Sequence, residues 1–126
     1  MNITILGNKF SEPIGPEKLE FFVPEKTPSM VSFKTDQFTS LCPVTMQPDY
    51  SHIQIDYCPN VKLVESKSLK LYLWSFRDKG ITCEDLSTTI ASDLFEVLTP
   101  ISIIVTVKQA MRGGLETLAV TEFQNE

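Results

Sequence analysis

His52-Ile53-Gln54-Ile55-Asp56-Tyr57-Cys58 is the stretch that sets the architecture. Ile53, Ile55 and Tyr57 fall on one face, and His52, Gln54, Asp56 and Cys58 on the other. A period of two predicts a β-strand with one buried face. Working outward, residues 102–108 (SIIVTVK) and 115–123 (LETLAVTEF) are rich in β-branched and apolar side chains. Met111-Arg112-Gly113-Gly114 between them reads as the turn of a hairpin. Residues 30–38 are a further candidate strand. Between the strands the period changes. In 62–78, Leu69, Tyr72, Leu73 and Phe76 recur at i, i+3, i+4, i+7, and in 83–98 Leu86, Ile90, Leu94, Val97 and Leu98 form one stripe. Two amphipathic helices are predicted. Thr82 followed by Asp85 is a capping-box-like start with Asp in place of Glu, and Pro100 ends the second helix.

The order strand, strand, helix, helix, strand, strand predicts an α+β domain: a four-stranded antiparallel sheet with both helices on one face. Such a sheet has exposed edges, and pairing between subunits would close it into a barrel, so a ring-like homo-oligomer is expected. With 126 residues, 42% of them hydrophobic and 21% charged, the chain suits a single domain over 1–126. Four of its eight prolines, Pro13, Pro16, Pro24 and Pro28, lie within residues 1–30, which are expected as an extended N-terminal arm.

The formal net charge of −5 argues against a polyanion partner, so direct nucleic-acid binding is not expected. No apolar run approaches the ~18–20 residues of a membrane span, and no signal peptide is apparent. Three cysteines without a CxxC, and a single histidine at His52, leave a Cys/His zinc site almost without ligands. No metal is expected, and the thiols suit a reducing cytoplasm.

Several side chains could carry chemistry. Cys42 lies in a proline-marked loop before a strand, and Asp49 returns seven residues later across a turn. A thiol that ionises is a strong nucleophile for a carbon electrophile, and a nearby carboxyl can donate a proton. The plainer reading is a small buried hydrophobe and a turn aspartate. On a helix, Lys67, Lys70, Trp74 and Arg77 make a basic stripe that could hold a phosphorylated ligand, or be an ordinary solvated face. Arg112 before two glycines could grip phosphate, or sit exposed at a hairpin turn. Glu84, at a helix start, could complement the helix dipole, or accept two parallel N–H bonds from a guanine-like base. His52 reads as a surface residue.

Together these stretches resemble a known family. FTSLCP-x-T-x-QPD, then ESKSLKLYL-x-SFR, then a Glu at a helix start, then RGG, is similar to the NADPH-dependent 7-cyano-7-deazaguanine reductases (QueF) of queuosine biosynthesis, over roughly residues 36–114. A weaker trace is Leu6-Gly7-Asn8. The resemblance implies the tunnelling fold, a barrel-like homo-oligomer with active sites between subunits, a small 7-deazaguanine substrate and NADPH. It implies Cys42 as nucleophile, Asp49 as general acid and Glu84 as the base anchor, with Cys83 beside it. It places Glu65, Ser66, Lys67, Ser68, Lys70 and Arg112 at the cofactor. The implied chemistry is attack of the Cys42 thiolate on a nitrile carbon to give a thioimide, then two hydride transfers to the primary amine. Cys42 would then need a lowered pKa, and Asp49 would need to start protonated.

The chain departs from the family in three respects. Cys83 stands where the family usually has His, Met46 where it commonly has Gly, and the longer C-terminal tail of many members is missing. Met46 is expected to narrow the pocket. The alternative reading is a divergent relative acting on a 7-deazaguanine without reduction, by amidine formation or decarboxylation for tRNA or DNA modification. Retention of ESKSLK counts against it. A non-catalytic module on the same fold is a third reading.

Overall fold

The computed structural model of the chain describes residues 12–126; the Leu6-Gly7-Asn8 trace lies outside them. Of the expected arm, residues 12–30 contain one 3-10 turn (Pro16–Lys18) and a short strand, β1 (Phe21–Phe22). They dock against the domain through the buried side chains of Ile14 and Leu19. Next come β2 (Val31–Leu41), β3 (Pro48–Cys58), β4 (Leu63–Val64), α1 (Ser66–Trp74), α2 (Cys83–Leu98), β5 (Ser102–Arg112) and β6 (Leu115–Gln124). The main sheet has the order β2-β3-β5-β6, with every neighbouring pair antiparallel. β1 and β4 form a small second sheet that the sequence pattern did not predict.

The alternation in β3 does what its period demands. Ile53, Ile55 and Tyr57 turn toward the helices and pair across the strands with Val107, Val105 and Ile103 of β5. Leu86, Ile90, Leu94 and Leu98 of α2 close this layer, each fully buried. Burial of that stripe is the main stabilising contribution, and truncating one such leucine to alanine costs about 2–5 kcal/mol. Leu69, Tyr72 and Phe76 belong to the same core, so both helices cover one face, as expected. No helix among the described residues is long and apolar enough to cross a membrane.

α2 runs over the predicted span. Thr82 Oγ1 accepts from Asp85 N–H at 3.1 Å, and Thr99 takes a left-handed φ of 42° just before Pro100. α1 is shorter than the predicted 62–78. Residues 63–64 are drawn into β4, and Glu65 caps the helix with its carboxylate. The β5–β6 hairpin closes through Gly113 and Gly114, with φ of 58° and 79°. Positive φ at both central residues is the twist-matching hairpin geometry that favours glycine.

Candidate functional site

Two β-bulges aim the site. In β2 the register runs from Thr35↔Ile53 to Phe38↔Ser51, so the strand carries one extra residue. Strict alternation from Val31, Phe33 and Thr35 would put Phe38 and Ser40 on the uncovered face. After the bulge both are buried, and Cys42, just past the strand end, is buried with them. β5 has a matching irregularity, from Gln109↔Thr117 to Arg112↔Leu115. It returns Arg112 to the face of Gln109. A bulge re-aims side chains in this way, and bulges recur beside functional sites.

The loop from Cys42 to Gln47 is closed by Cys42 N–H to Gln47 C=O at 2.9 Å and Met46 N–H to Cys42 C=O at 2.8 Å. It wraps the thiol in donors. The Thr45 hydroxyl, then the backbone N–H groups of Thr45 and Val44, then the Arg112 guanidinium draw Cys42 down from an ordinary 9.0 to about 6, against the opposing effect of burial. Hydrogen bonds to an anion stabilise it, so the thiolate is populated at neutral pH. Met46 sits in this loop with φ of 60° and an exposed side chain, and its Sδ lies over Gly80. The backbone at residue 46 is left-handed, where a Cβ is strained and a glycine is at ease. The Met46 side chain points outward over residue 80.

Asp49 is 2% exposed on β3. Arg112 Nη1 donates to its Oδ1 at 2.7 Å and Gln109 Nε2 to its Oδ2 at 3.3 Å, while Arg112 Nη2 donates to Gln109 Oε1 at 3.3 Å. Arg112 therefore joins the thiol and the carboxyl, a position the sequence reading did not give it. Beside these contacts, the buried hydroxyls of Ser40, on β2 opposite Asp49, and Ser51, on β3 opposite Gln109, have no partner.

Cys83 and Glu84 open α2. The Cys83 thiol donates to the Val107 carbonyl at 3.5 Å and lies 3.9 Å from that of Thr117. Burial and then the Glu84 charge push it up; the backbone N–H groups of Gln109 and Ala119, and last the Arg112 charge, pull the other way more weakly. The two buried cysteines are thus set apart chemically, with Cys42 activated and Cys83 held as a thiol. Glu84 is exposed in the first turn of α2. Through the Cys83 contacts with the Val107 and Thr117 carbonyls, the N-terminus of α2 is seated on β5 and β6.

The residues of the ESKSLK stretch divide by role. Glu65 accepts from Lys67 N–H at 2.8 Å and Ser68 N–H at 2.7 Å. Ser68 is fully buried; its hydroxyl donates to Glu65 C=O at 2.8 Å and accepts from Glu20 N–H at 3.1 Å. These two residues hold the start of α1 in place. Ser66, Lys70 and Trp74 face outward and line a groove of about 520 Å³ against Phe33, Thr35 and Phe38. None of Cys42, Asp49, Cys83, Glu84 or Arg112 lines that groove. The single subunit therefore brings together Cys42, Asp49 and Arg112, but not the α1 residues expected at the same cofactor. Thr45, Gln109 and Ser40 carried no signal of their own, being ordinary loop or strand polars. The parity change in 31–41 was the readable trace of the β2 bulge. No group of three or more potential metal ligands occurs among the described residues.

Fold and site define an α+β protein whose sheet end carries an activated cysteine paired with a buried carboxyl. A family model described as "QueF-like protein" matches residues 48–126. The NADPH-dependent 7-cyano-7-deazaguanine reductases of Staphylococcus saprophyticus and Staphylococcus haemolyticus are each 44% identical over 127 residues, covering 97% of this chain and 76% of theirs. The crystal structure of the archaeosine synthase QueF-Like in the apo form matches with a TM-score of 0.72 and 28% identity, over 77% of this chain and 95% of that one. The chain belongs to the QueF-like family, and its fold is the α+β tunnelling fold that the resemblance implied.

Proposed function

We propose that the protein is an NADPH-dependent nitrile reductase that converts 7-cyano-7-deazaguanine to 7-aminomethyl-7-deazaguanine. The observation that carries this reading is the Cys42 thiol, drawn down to about 6 by its loop and held next to Asp49 through Arg112. Cys42 Sγ forms a bond to the nitrile carbon. The electron pair leaving the carbon–nitrogen π bond is met by a proton passed on by Asp49, which rests as a carboxylate on Arg112 and takes that proton up from solvent once the pair opens, giving a thioimide. For Asp49 to reach the nitrogen, its pair with Arg112 opens. Glu84, exposed at the α2 start, accepts the paired N–H groups of the base, with the Cys83 thiol beside it.

Two NADPH molecules, bound in turn, would each supply one hydride to the substrate carbon; the carbon–sulfur bond breaks between the two transfers, with the Cys42 thiolate as leaving group, so the amine is released and the thiol restored. The residues present fit a dinucleotide phosphate: Ser66 and Lys70 line a groove beside Trp74, and Lys67 projects from the same helix. Glu65 and Ser68 serve that site by fixing the helix start. Arg112 stands at Asp49 and apart from this groove, so the complete site takes its parts from two subunits of a homo-oligomer. The substrate is a free base, in a cytoplasmic reaction without nucleic acid or membrane.

Amidine formation on a related base is the second reading, favoured by the likeness to the archaeosine synthase structure. NADPH oxidation at 340 nm with 7-cyano-7-deazaguanine separates the two. The reductase reading expects two NADPH consumed per base. A thioimide that forms without NADPH oxidation supports the second reading.

A further inference from the structure

Asp49 is gripped from one side only. Its partners, Gln109 and Arg112, both belong to β5, on one flank of β3. On the other flank β2 places Ser40 directly opposite Asp49 in the register. Opposed residues on one face of an antiparallel pair have Cβ atoms roughly 4.5–5.5 Å apart, within reach of a hydroxyl and a carboxyl. Ser40 is 0% exposed, and its hydroxyl has no partner. A buried hydroxyl left unpaired costs stability, and such groups are rare enough to call for a reason. The β2 bulge puts Ser40 on this face, on the same side as Cys42 two residues on.

We propose that Ser40 is a positioning residue for Asp49, the donor that receives its carboxyl when Arg112 turns away. The purpose of this step rests on the nitrile-reductase reading; the geometry does not. With Arg112 in place, the carboxyl rests on the β5 flank. When the guanidinium leaves, the Ser40 hydroxyl rotates to donate to one oxygen and holds the carboxyl on the β2 flank, toward Cys42. Ser51, the other unpaired buried hydroxyl, stands two residues along β3 from Asp49, between Phe38 on β2 and Gln109 on β5; it is not opposed to Asp49 in either register and serves as the comparison.

A thermal-unfolding cycle with Ser40→Ala and Arg112→Met tests the geometry without any ligand. Ser40→Ala alone leaves Tm unchanged or raised. In the Arg112→Met background it lowers Tm by about 4 °C, because the carboxyl loses the donor that replaced Arg112 and is left with Gln109 alone. Ser51→Ala has the same effect in both backgrounds. In parallel, Ser40→Ala slows adduct formation with 7-cyano-7-deazaguanine about tenfold at unchanged affinity for the base. An additive cycle, a Ser51→Ala effect equal to that of Ser40→Ala, or an untouched adduct rate overturns the proposal. An additive cycle with normal wild-type adduct formation sinks Ser40 alone. A non-additive cycle in a wild-type protein that forms no adduct supports the Ser40 contact and sinks the reductase reading instead.

Discussion

Cys42 and Cys83 are both buried and both feel Arg112, yet the loop at 42–47 surrounds only Cys42 with donors. The account therefore predicts that iodoacetamide alkylation of Cys42 rises with a midpoint near pH 6, while Cys83 stays unreactive through neutral pH. Thr45→Ala removes the largest of the lowering contacts and shifts the midpoint upward. A midpoint near 9 in the folded protein contradicts the account. The same shift links to stability. The folded value lies below the unfolded one, so the thiolate's contribution is fully present above pH 9 and is lost as pH falls through about 6. Unfolding in urea from pH 9 to 6 reads that loss, and Cys42→Ala flattens it. Met46 gives a second residue-scale prediction. At φ of 60° a glycine relieves the left-handed strain, so Met46→Gly raises stability by about 0.5–1 kcal/mol in urea unfolding. Cys42, Asp49, Cys83 and Glu84 were readable in the sequence as candidates, through the motifs that contain them. Arg112's grip on Asp49 was not, because the contact depends on a bulge in β5.

At the scale of elements, what the sequence revealed depended on how many local signals agreed. α2 has a capping threonine, an unbroken apolar stripe and a proline just past its end, and it forms over the predicted span. α1 has no such agreement at its start. The periodic reading carried it back to residue 62, whereas backbone pairing of 63–64 with β1 and the Glu65 cap start it at Ser66. The small sheet was hidden because two-residue strands leave no period to read. The Glu65 cap sorts the ESKSLK stretch by function. Glu65→Ala removes the acceptor of two helix N–H groups and costs about 1–2 kcal/mol of stability in thermal or urea unfolding. Lys70→Ala leaves stability within about 0.5 kcal/mol and raises the KM for NADPH with little effect on base binding. Equal effects on both ligands contradict the assignment of Lys70 to the cofactor.

At the scale of the whole molecule, the face of the sheet away from the helices is uncovered, and β6 is an edge. Leu118 and Val120 on that face are 60% and 56% exposed. Apolar side chains along an open edge strand favour pairing with another copy. Leu118→Lys combined with Val120→Lys is therefore predicted to lower the molecular mass in solution, read by size-exclusion chromatography with light scattering, and to abolish NADPH oxidation with the subunit still folded. An unchanged mass contradicts a sheet-edge assembly. The fold class was legible because strand and helix periods alternate cleanly along the chain. The separation of α1 from the Cys42 end of the sheet was not, since it depends on how the helices seat on the sheet and no local pattern encodes that.

Everything turns on whether Cys42 bonds to the cyano carbon. Intact-mass spectrometry of the protein mixed with 7-cyano-7-deazaguanine, with no reductant present, measures this directly. The account predicts one added base per chain, mapped to Cys42 and absent in Cys42→Ala. An unmodified Cys42 under conditions where the base is bound would contradict it.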